Sequence, residues 1–347
     1  MKRKKAYRVM TMILAFVMAF TVMLQTECEV YAATPVSSHG RLSVKGADLV
    51  DARKRKFQLR GISTHGINWD VGAPYVNKAA FKTLRDDWGA NAVRLAMYTS
   101  EYNGYCSGGN KAALRNRIYK GVQYATELGM YVIIDWHILN DGNPKSHLRD
   151  AKSFFATMSK KYKNQKNVIY EICNEPNGCS WNTIKSYATQ VIKVIRKNDK
   201  NGIIVVGTPT WSQLCSYGTH NEVANSPIKG YRNIMYSLHF YANEWSHNRY
   251  LPSKLEYARK KKLPVIVTEF GMSAASGGGG ISKTSTGKWL NRLNKANISY
   301  FCWSLSNKNE SCSLLSPRTR KTSGWKSGDL SKAGQYIRAK YRTGRRS

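Results

Sequence analysis

The chain has 347 residues and carries 55 Lys and Arg against 21 Asp and Glu, a formal net charge of +34 at pH 7; its length is too great for one small β-sandwich and comfortable for one large α/β domain. Charge of this size points to nucleic acid or an anionic surface, yet the basic residues are spread along the chain, with some clustering from Arg318 to Arg346, and form no single basic motif interleaved with aromatics. No nucleic-acid partner is expected; the charge reads as a solvated basic surface, with weak adhesion to anionic surfaces as the alternative.

The amino terminus reads Met1-Lys2-Arg3-Lys4-Lys5, then an apolar run from Val9 to Leu24, then Val30-Tyr31-Ala32. This is the pattern of a signal peptide over residues 1–32, cleaved after Ala32. The run is shorter than the roughly 20 residues a span needs and contains Thr11 and Thr21. No second apolar run is present, so no membrane span is expected after signal removal, and the protein is expected to be secreted and extracellular. Once Cys28 has left with the signal, the remaining cysteines are permitted but not required to form disulfides. Cys173 and Cys302 lie in apolar runs and read as buried free thiols. Cys-x-x-Cys spacing is absent, so no metal site is indicated.

Residues 33–55, with Leu42-Ser43-Val44 and Asp48-Leu49-Val50, read as a short hairpin that caps the floor of the large domain beginning at residue 56. From residue 56 short β-branched runs alternate with longer amphipathic stretches, the pattern of a parallel sheet with helical crossovers. The predicted strands are Phe57 to Ser63, Ala92 to Met97, Tyr131 to Trp136, Val168 to Cys173, Ile203 to Gly207, Ile234 to Phe240, Val265 to Glu269 and Ser299 to Ser304. Helices are predicted over Lys78 to Trp88, Ala112 to Leu128, Ala151 to Tyr162, Asn182 to Arg196, Ser253 to Lys261, Thr286 to Lys295 and Gly334 to Tyr341, with a weak one after the fifth strand. Eight such units make residues 56–347 a (β/α)8 TIM barrel, a single domain. An open doubly wound sheet would need a glycine-rich phosphate turn after the first strand, and Gly61-Ile62-Ser63-Thr64-His65-Gly66 is not one. The glycine run Gly277 to Gly280 comes soon after the seventh strand and reads as a mobile active-site loop. No linker or second domain is visible.

The carboxyl ends of all barrel strands face one mouth, and polar or aromatic residues collect at these ends: His65, Arg94, Tyr98, His137, Asn174, Glu175, Trp211, His239, Tyr241, Glu269 and Trp303. Glu175 and Glu269 each follow or close an apolar strand, and only a barrel brings them together. Hydrolysis of a glycosidic bond needs a proton donor for the leaving oxygen and a carboxylate facing the anomeric carbon; two opposed glutamates supply both. Trp69, Tyr98, Trp211 and Trp303 are candidate sugar platforms, because the apolar faces of pyranose rings stack on aromatic faces. Trp88 and Trp136 read instead as core.

These residues stand in motifs that resemble glycoside hydrolase family 5, in particular its bacterial endo-β-1,4-glucanase (cellulase) branch. The motifs are Arg60-Gly61-Ile62 with His65-Gly66, Leu84-Arg85-Asp86-Asp87-Trp88-Gly89, Arg94 with Ala96-Met97-Tyr98-Thr99, Asp135-Trp136-His137, Asn174-Glu175-Pro176-Asn177-Gly178, Leu238-His239-Phe240-Tyr241-Ala242, Thr268-Glu269 and Trp303-Ser304-Leu305. The resemblance implies Glu175 as acid/base and Glu269 as nucleophile of a retaining double displacement on a β-glucan polysaccharide. Arg94 and Tyr241 would hold Glu269 charged, Asn174 would hold the sugar 2-hydroxyl, and His137 and His239 would orient carboxylates and sugar hydroxyls. It also implies Ala275, Ser276, Lys308 and Glu310 as loop contacts to substrate. Phe270 and Ala274 depart from the family pattern, which has Trp after the nucleophile and commonly an acidic residue at the second site. Another β-linked polymer (mannan, xylan, mixed-linkage glucan) is the alternative substrate, and a non-catalytic carbohydrate-binding protein the alternative class. No cofactor is expected, and the protein is expected to be a monomer.

Overall fold

The computed structural model describes residues 33–216 and 221–343, so the expected signal peptide lies outside the described residues. A helix α1 (Pro35–His39) opens the described part, its start fixed by Thr34, whose hydroxyl accepts from the Ser37 amide. The sequence pattern did not announce this helix, which is only five residues long. The hairpin β1 (Ser43–Lys45) and β2 (Asp48–Val50) comes next, antiparallel as expected.

Eight parallel strands then close into a barrel: β3 (Arg60–Thr64), β4 (Ala92–Tyr98), β5 (Tyr131–His137), β6 (Val168–Glu171), β7 (Ile203–Val206), β8 (Ile234–Tyr241), β9 (Val265–Gly271) and β10 (Tyr300–Leu305). Each pairs with its chain neighbour, and β10 pairs with β3 to close the ring. Every residue of β4, β5, β8, β9 and β10 is buried, which is why these strands read as largely apolar runs rather than alternating ones. The crossovers are α2 (Lys78–Thr83), α3 (Lys111–Glu127), α4 (Leu148–Tyr162), α5 (Trp181–Asn198), α6 (Trp245–Lys260) and α7 (Lys283–Lys295), with α8 (Lys332–Thr343) after the last strand. Asn110, Ser180 and Ser282 cap α3, α5 and α7 by accepting an amide from the third helical residue, the usual way to satisfy an otherwise orphaned donor. After β7 the described residues hold the short four-residue helices Pro209–Ser212 and Glu222–Asn225, in line with the weak helix expected there.

The barrel interior is layered. Its floor is apolar: Leu59, Ala92, Ile133, Ile169, Val205, Ile266 and Phe301 cluster with Leu42 and Leu49 of the hairpin segment, and the Tyr131 hydroxyl donates to Gly40 O at 2.7 Å. The layer above is polar. Arg94 pairs in register with Ser63, and Asp135 with Glu171, where barrels ordinarily stack branched aliphatic side chains. Trp88 and Trp136 are fully buried in the outer core, as expected, and Cys173 and Cys302 are buried free thiols. At the far end, Arg338 of α8 grips the Asp87 carboxylate with two hydrogen bonds of 2.8 and 2.9 Å, and the Tyr341 hydroxyl donates to Gly61 O at 2.8 Å.

Gly61 has no room for a side chain: a Cβ there would meet the Phe301 ring at 2.1 Å. Overpacking of this kind costs about 1–3 kcal/mol, so Gly61→Ala should lower the denaturant-unfolding midpoint, while Gly328→Ala, which meets nothing within 4 Å, should leave it in place. Equal midpoints for the two variants would contradict this account of the floor.

Candidate active site

The site is built upward from Arg94. On β4 the side chains alternate, so Ala92 joins the floor, Arg94 the middle layer and Ala96 the mouth. The Arg94 guanidinium is fully buried and donates to Glu171 at 2.7 Å, to Asn174 Oδ1 at 2.6 Å and to Glu269 at 3.1 Å. Asp135 lies 2.9 Å from its second terminal nitrogen. Three carboxylates thus surround one cation. The same period of two puts Asp135 and His137 on one face of β5, where they share a contact of 2.6 Å.

Glu269 reaches the interior through a local irregularity of β9. Between Ile266 and Glu269 the strand advances three residues while β8 advances two, from Ser237 to His239, and β10 shows the same offset. An extra residue of this kind re-aims the side chains beyond it. Consequently Thr268 and Glu269, consecutive in sequence, both face inward: Thr268 meets Ser237 and His239 at 3.1 and 2.8 Å, and Glu269 accepts from Tyr241 at 2.8 Å and from Arg94. Phe270 instead points to the helix layer and stacks on Phe240 at 5.3 Å, so its departure from the family pattern lies away from the cleft.

Glu175 stands in the loop after β6. Its carboxylate meets His239 Nδ1 at 2.8 Å, and one of its oxygens lies within 4.8 Å of a Glu269 oxygen. Burial raises both carboxyls. Glu175 is pushed up to about 8 against the pull of Arg94, helped by Asp135 and Glu171. Glu269 is raised by burial and drawn back by the Arg94 guanidinium. Two hydrogen-bond donors, Arg94 and Tyr241, favour the ionised form of Glu269, so the proton of the pair resides on Glu175. Tyr241 stays protonated because burial and the Glu269 charge hold its pKa well above the usual range. Burial holds His137 well below its usual range and pushes His239 down to about 4, so both imidazoles are neutral at pH 7.

Asn174 lies beneath the cleft surface, its amide nitrogen donating to Ile138 O at 3.1 Å and touching His137 at 3.2 Å. Above it opens a cleft of about 600 Å³ lined by Glu175 and Glu269, by the aromatics and histidines expected there, and by Ala275, Ser276, Lys308 and Glu310. One wall is aromatic: Trp303 stacks on His137 at 5.2 Å, Tyr98 packs on His137 at 4.1 Å, and Trp69 leans on Tyr98 at 4.5 Å. The Trp303–Ser304 peptide is cis. His65 accepts the Gly66 amide at Nδ1, 2.7 Å away, which directs its Nε2 proton toward Glu310 at 3.7 Å. Lys308 lies 2.6 Å from the same carboxylate. On the opposite wall Trp211 projects from a turn in which Thr210, Trp211 and Ser212 all have φ between +53° and +60°, a conformation costly for non-glycine residues. The turn is braced by Ser212 Oγ donating to Asn174 O at 2.6 Å. The glycine run expected to be mobile is tied down, with Asn243 donating to Gly279 O at 2.8 Å and the Cys312 amide to Gly277 O at 3.1 Å.

Sequence reasoning gave no role to Asp135, Glu171 or Thr268 in the buried network, nor to Glu101, Gln213, Glu244, Ser246 and His247 in the cleft lining. For Asp135 and Glu171 a signal existed, since each lies two residues along a strand from an inward floor residue, Ile133 and Ile169. For the loop residues none did. Two groups among the described residues have donors close enough to share a metal ion. The first, Glu175, His239 and Glu269, comprises the two facing carboxyl groups, of which Glu175 is already hydrogen-bonded to His239 and Glu269 to Arg94 and Tyr241. In the second, Cys106, His147 and Asp150, the Lys111 ammonium already lies 2.6 Å from Asp150 and neutralises it.

Fold and site together define a barrel hydrolase in which two carboxyl groups face each other across a sugar-sized cleft. The profile of the cellulase family, glycosyl hydrolase family 5, matches residues 50–309, and the chain belongs to that family. It is 44% identical over 329 residues to an endoglucanase of Clostridium saccharobutylicum, covering 94% of this chain and 70% of the relative. It is 40% identical over 344 residues to Endoglucanase 5 of Pectobacterium carotovorum subsp. carotovorum, covering 99% of this chain but 64% of that longer protein. Among solved structures, the catalytic domain of Thermobifida fusca endoglucanase Cel5A in complex with cellotetraose superposes with a TM-score of 0.84 at 37% identity, covering 89% of this chain and 99% of that one.

Removing the guanidinium leaves Asp135, Glu171 and Glu269 buried without their cation. Breaking a buried pair in this way costs about 3–5 kcal/mol, so Arg94→Met should be destabilised by that order at pH 8 in denaturant unfolding. The deficit should shrink at pH 5, where the stranded carboxylates can take up protons. A deficit equal at both pH values would show that the charge is not what the core requires.

Proposed function

We propose that the chain is a secreted, retaining endo-β-1,4-glucanase. The observation that carries the mechanism is the approach of Glu175 and Glu269 oxygens to within 4.8 Å; retaining enzymes hold their carboxyls about 5–5.5 Å apart, whereas inverting ones leave about 6.5–9.5 Å for a water. Glu269, ionised between Arg94 and Tyr241, attacks the anomeric carbon as Glu175 gives its proton to the departing sugar oxygen. A glycosyl ester on Glu269 results. Glu175, now a carboxylate, takes a proton from water, which attacks the same carbon and frees Glu269. His239 holds Glu175 in line, and the neutral His137, which lines the cleft and is braced from below by Asn174, faces the sugar hydroxyls. The preference for β-1,4-glucan is supported by the names of the relatives and by cellotetraose in the related structure. Export is supported by the leader-like first 32 residues.

Substrate and mode of attack are tested together on a panel of neutral β-glucan, mannan and xylan. The expected result is a fast fall in viscosity of hydroxyethyl cellulose with few new reducing ends. Faster hydrolysis of mannan or xylan, or reducing ends released in step with the viscosity change, would replace this reading.

The roles of the glutamates are separable. Because Glu175 must be protonated to act and is pushed up to about 8, kcat/KM should fall as pH rises through about 8. Glu175→Ala should lose that limb, retain glycosylation by an activated aryl β-cellobioside, and be rescued by azide with retained configuration. Glu269→Ala with azide should instead give the inverted glycosyl azide, since the anion enters from the vacated side. Inversion from the Glu175 variant and retention from the Glu269 variant would exchange the two assignments.

A further inference from the structure

Five large apolar side chains are exposed among the described residues. Isolated ones need no explanation, but one of these lines the cleft and two more are paired beside residues that line it. Trp211, 37% exposed, lines the cleft itself. Trp245 and Tyr250, 69% and 51% exposed, form an edge-to-face pair with ring centroids 5.8 Å apart. Trp245 is the first residue of α6, and its neighbours Glu244, Ser246 and His247 all line the cleft. The two corners are joined, because Gln213, two residues from Trp211, touches His247, two residues from Trp245, at 3.2 Å.

The corner is rigid. The Asn243 amide donates to Ser273 O at 2.9 Å, the Ala275 amide donates to the Glu244 carboxylate at 3.3 Å, and the Asn248 side chain donates to Ala242 O at 2.9 Å. A large ring held in water on a fixed backbone costs the fold the burial it forgoes, roughly 25 cal/mol per Å² of apolar area. It is the arrangement that suits stacking on a sugar, since no ordering is needed on binding.

We propose that Trp245 and Tyr250 form an additional sugar platform that continues the cleft beyond Trp211, on the side away from His65, Trp69 and Trp303, and holds distal glucosyl units of a β-1,4-glucan chain. The occupant is the substrate polymer itself because Trp245 sits in the chain between Glu244 and Ser246, which line the cleft and are polar groups suited to the hydroxyls at the edge of a stacked ring. This inference rests on the glucanase reading.

The test compares the full chain with Trp245→Ala, Tyr250→Ala and Trp245→Tyr on two substrates: hydroxyethyl cellulose, which spans the whole cleft, and an aryl β-cellobioside, which ends before the corner. Trp245→Ala should raise KM for the polymer about three- to tenfold with kcat unchanged. On the aryl cellobioside its kcat/KM should stay within twofold of the parent. Trp245→Tyr should recover most of the polymer affinity, which a merely structural role at an exposed position would not require. An active parent with no change in polymer KM for Trp245→Ala, or an equal loss on both substrates, overturns the platform alone. A parent inactive on every β-glucan overturns the glucanase reading and the platform with it.

Discussion

Arg94 lies fully buried among Asp135, Glu171 and Glu269, and the polar middle layer of the barrel can exist in a folded chain only because this guanidinium offsets the cost of taking those carboxylates out of water. An isolated buried carboxylate would neutralise rather than remain charged. A guanidinium suits the task better than an ammonium, since its planar fork donates in several fixed directions at once. Here it reaches Glu171, Asn174 and Glu269 through three different nitrogens. One cation therefore positions an amide below the cleft, sustains the ionised member of the facing carboxyl pair, and fills the barrel at a level where most barrels place aliphatic side chains.

The asymmetry between the two glutamates originates in that hub. Both are buried and both are raised, but Glu269 accepts from Arg94 and Tyr241 while the Glu175 carboxyl, among the described residues, meets His239. Neutral imidazoles on both sides matter here. A charged His239 would pull the Glu175 proton away, and burial prevents that by keeping the ring uncharged. The proton is thus held on Glu175 and the charge on Glu269.

Around this centre the cleft is stiff in places where its loops alone would not be. The left-handed turn carrying Trp211 is held by Ser212 against the backbone of Asn174, and the glycine run after β9 is hydrogen-bonded to the loops after β8 and β10. A site that must hold a sugar within a fraction of an ångström gains from such bracing, and the strain of three consecutive positive φ values is tolerated because the surrounding bonds determine the turn.

The barrel could be read from sequence because its strands are buried on both faces and separated by amphipathic helices, so eight apolar runs announce eight parallel strands. The floor hairpin and the weak crossover after the fifth strand could be read for the same reason. The identities of Glu175, Glu269, Arg94 and Tyr241 were accessible too, since they end or interrupt apolar strands where charge is otherwise excluded. Three things were decided only in three dimensions. The extra residue in β9, which turns Thr268 and Glu269 inward together, depends on pairing with both neighbours and leaves no mark in a period-two pattern. The gathering of Asp135 and Glu171 on Arg94 depends on register between β4, β5 and β6. The cleft rim formed by Gln213, Glu244, Ser246 and His247 depends on where irregular loops come to rest. Local pattern records which face of an element avoids water; only closure of the barrel, a set of contacts between residues distant in the chain, determines which of those faces meet.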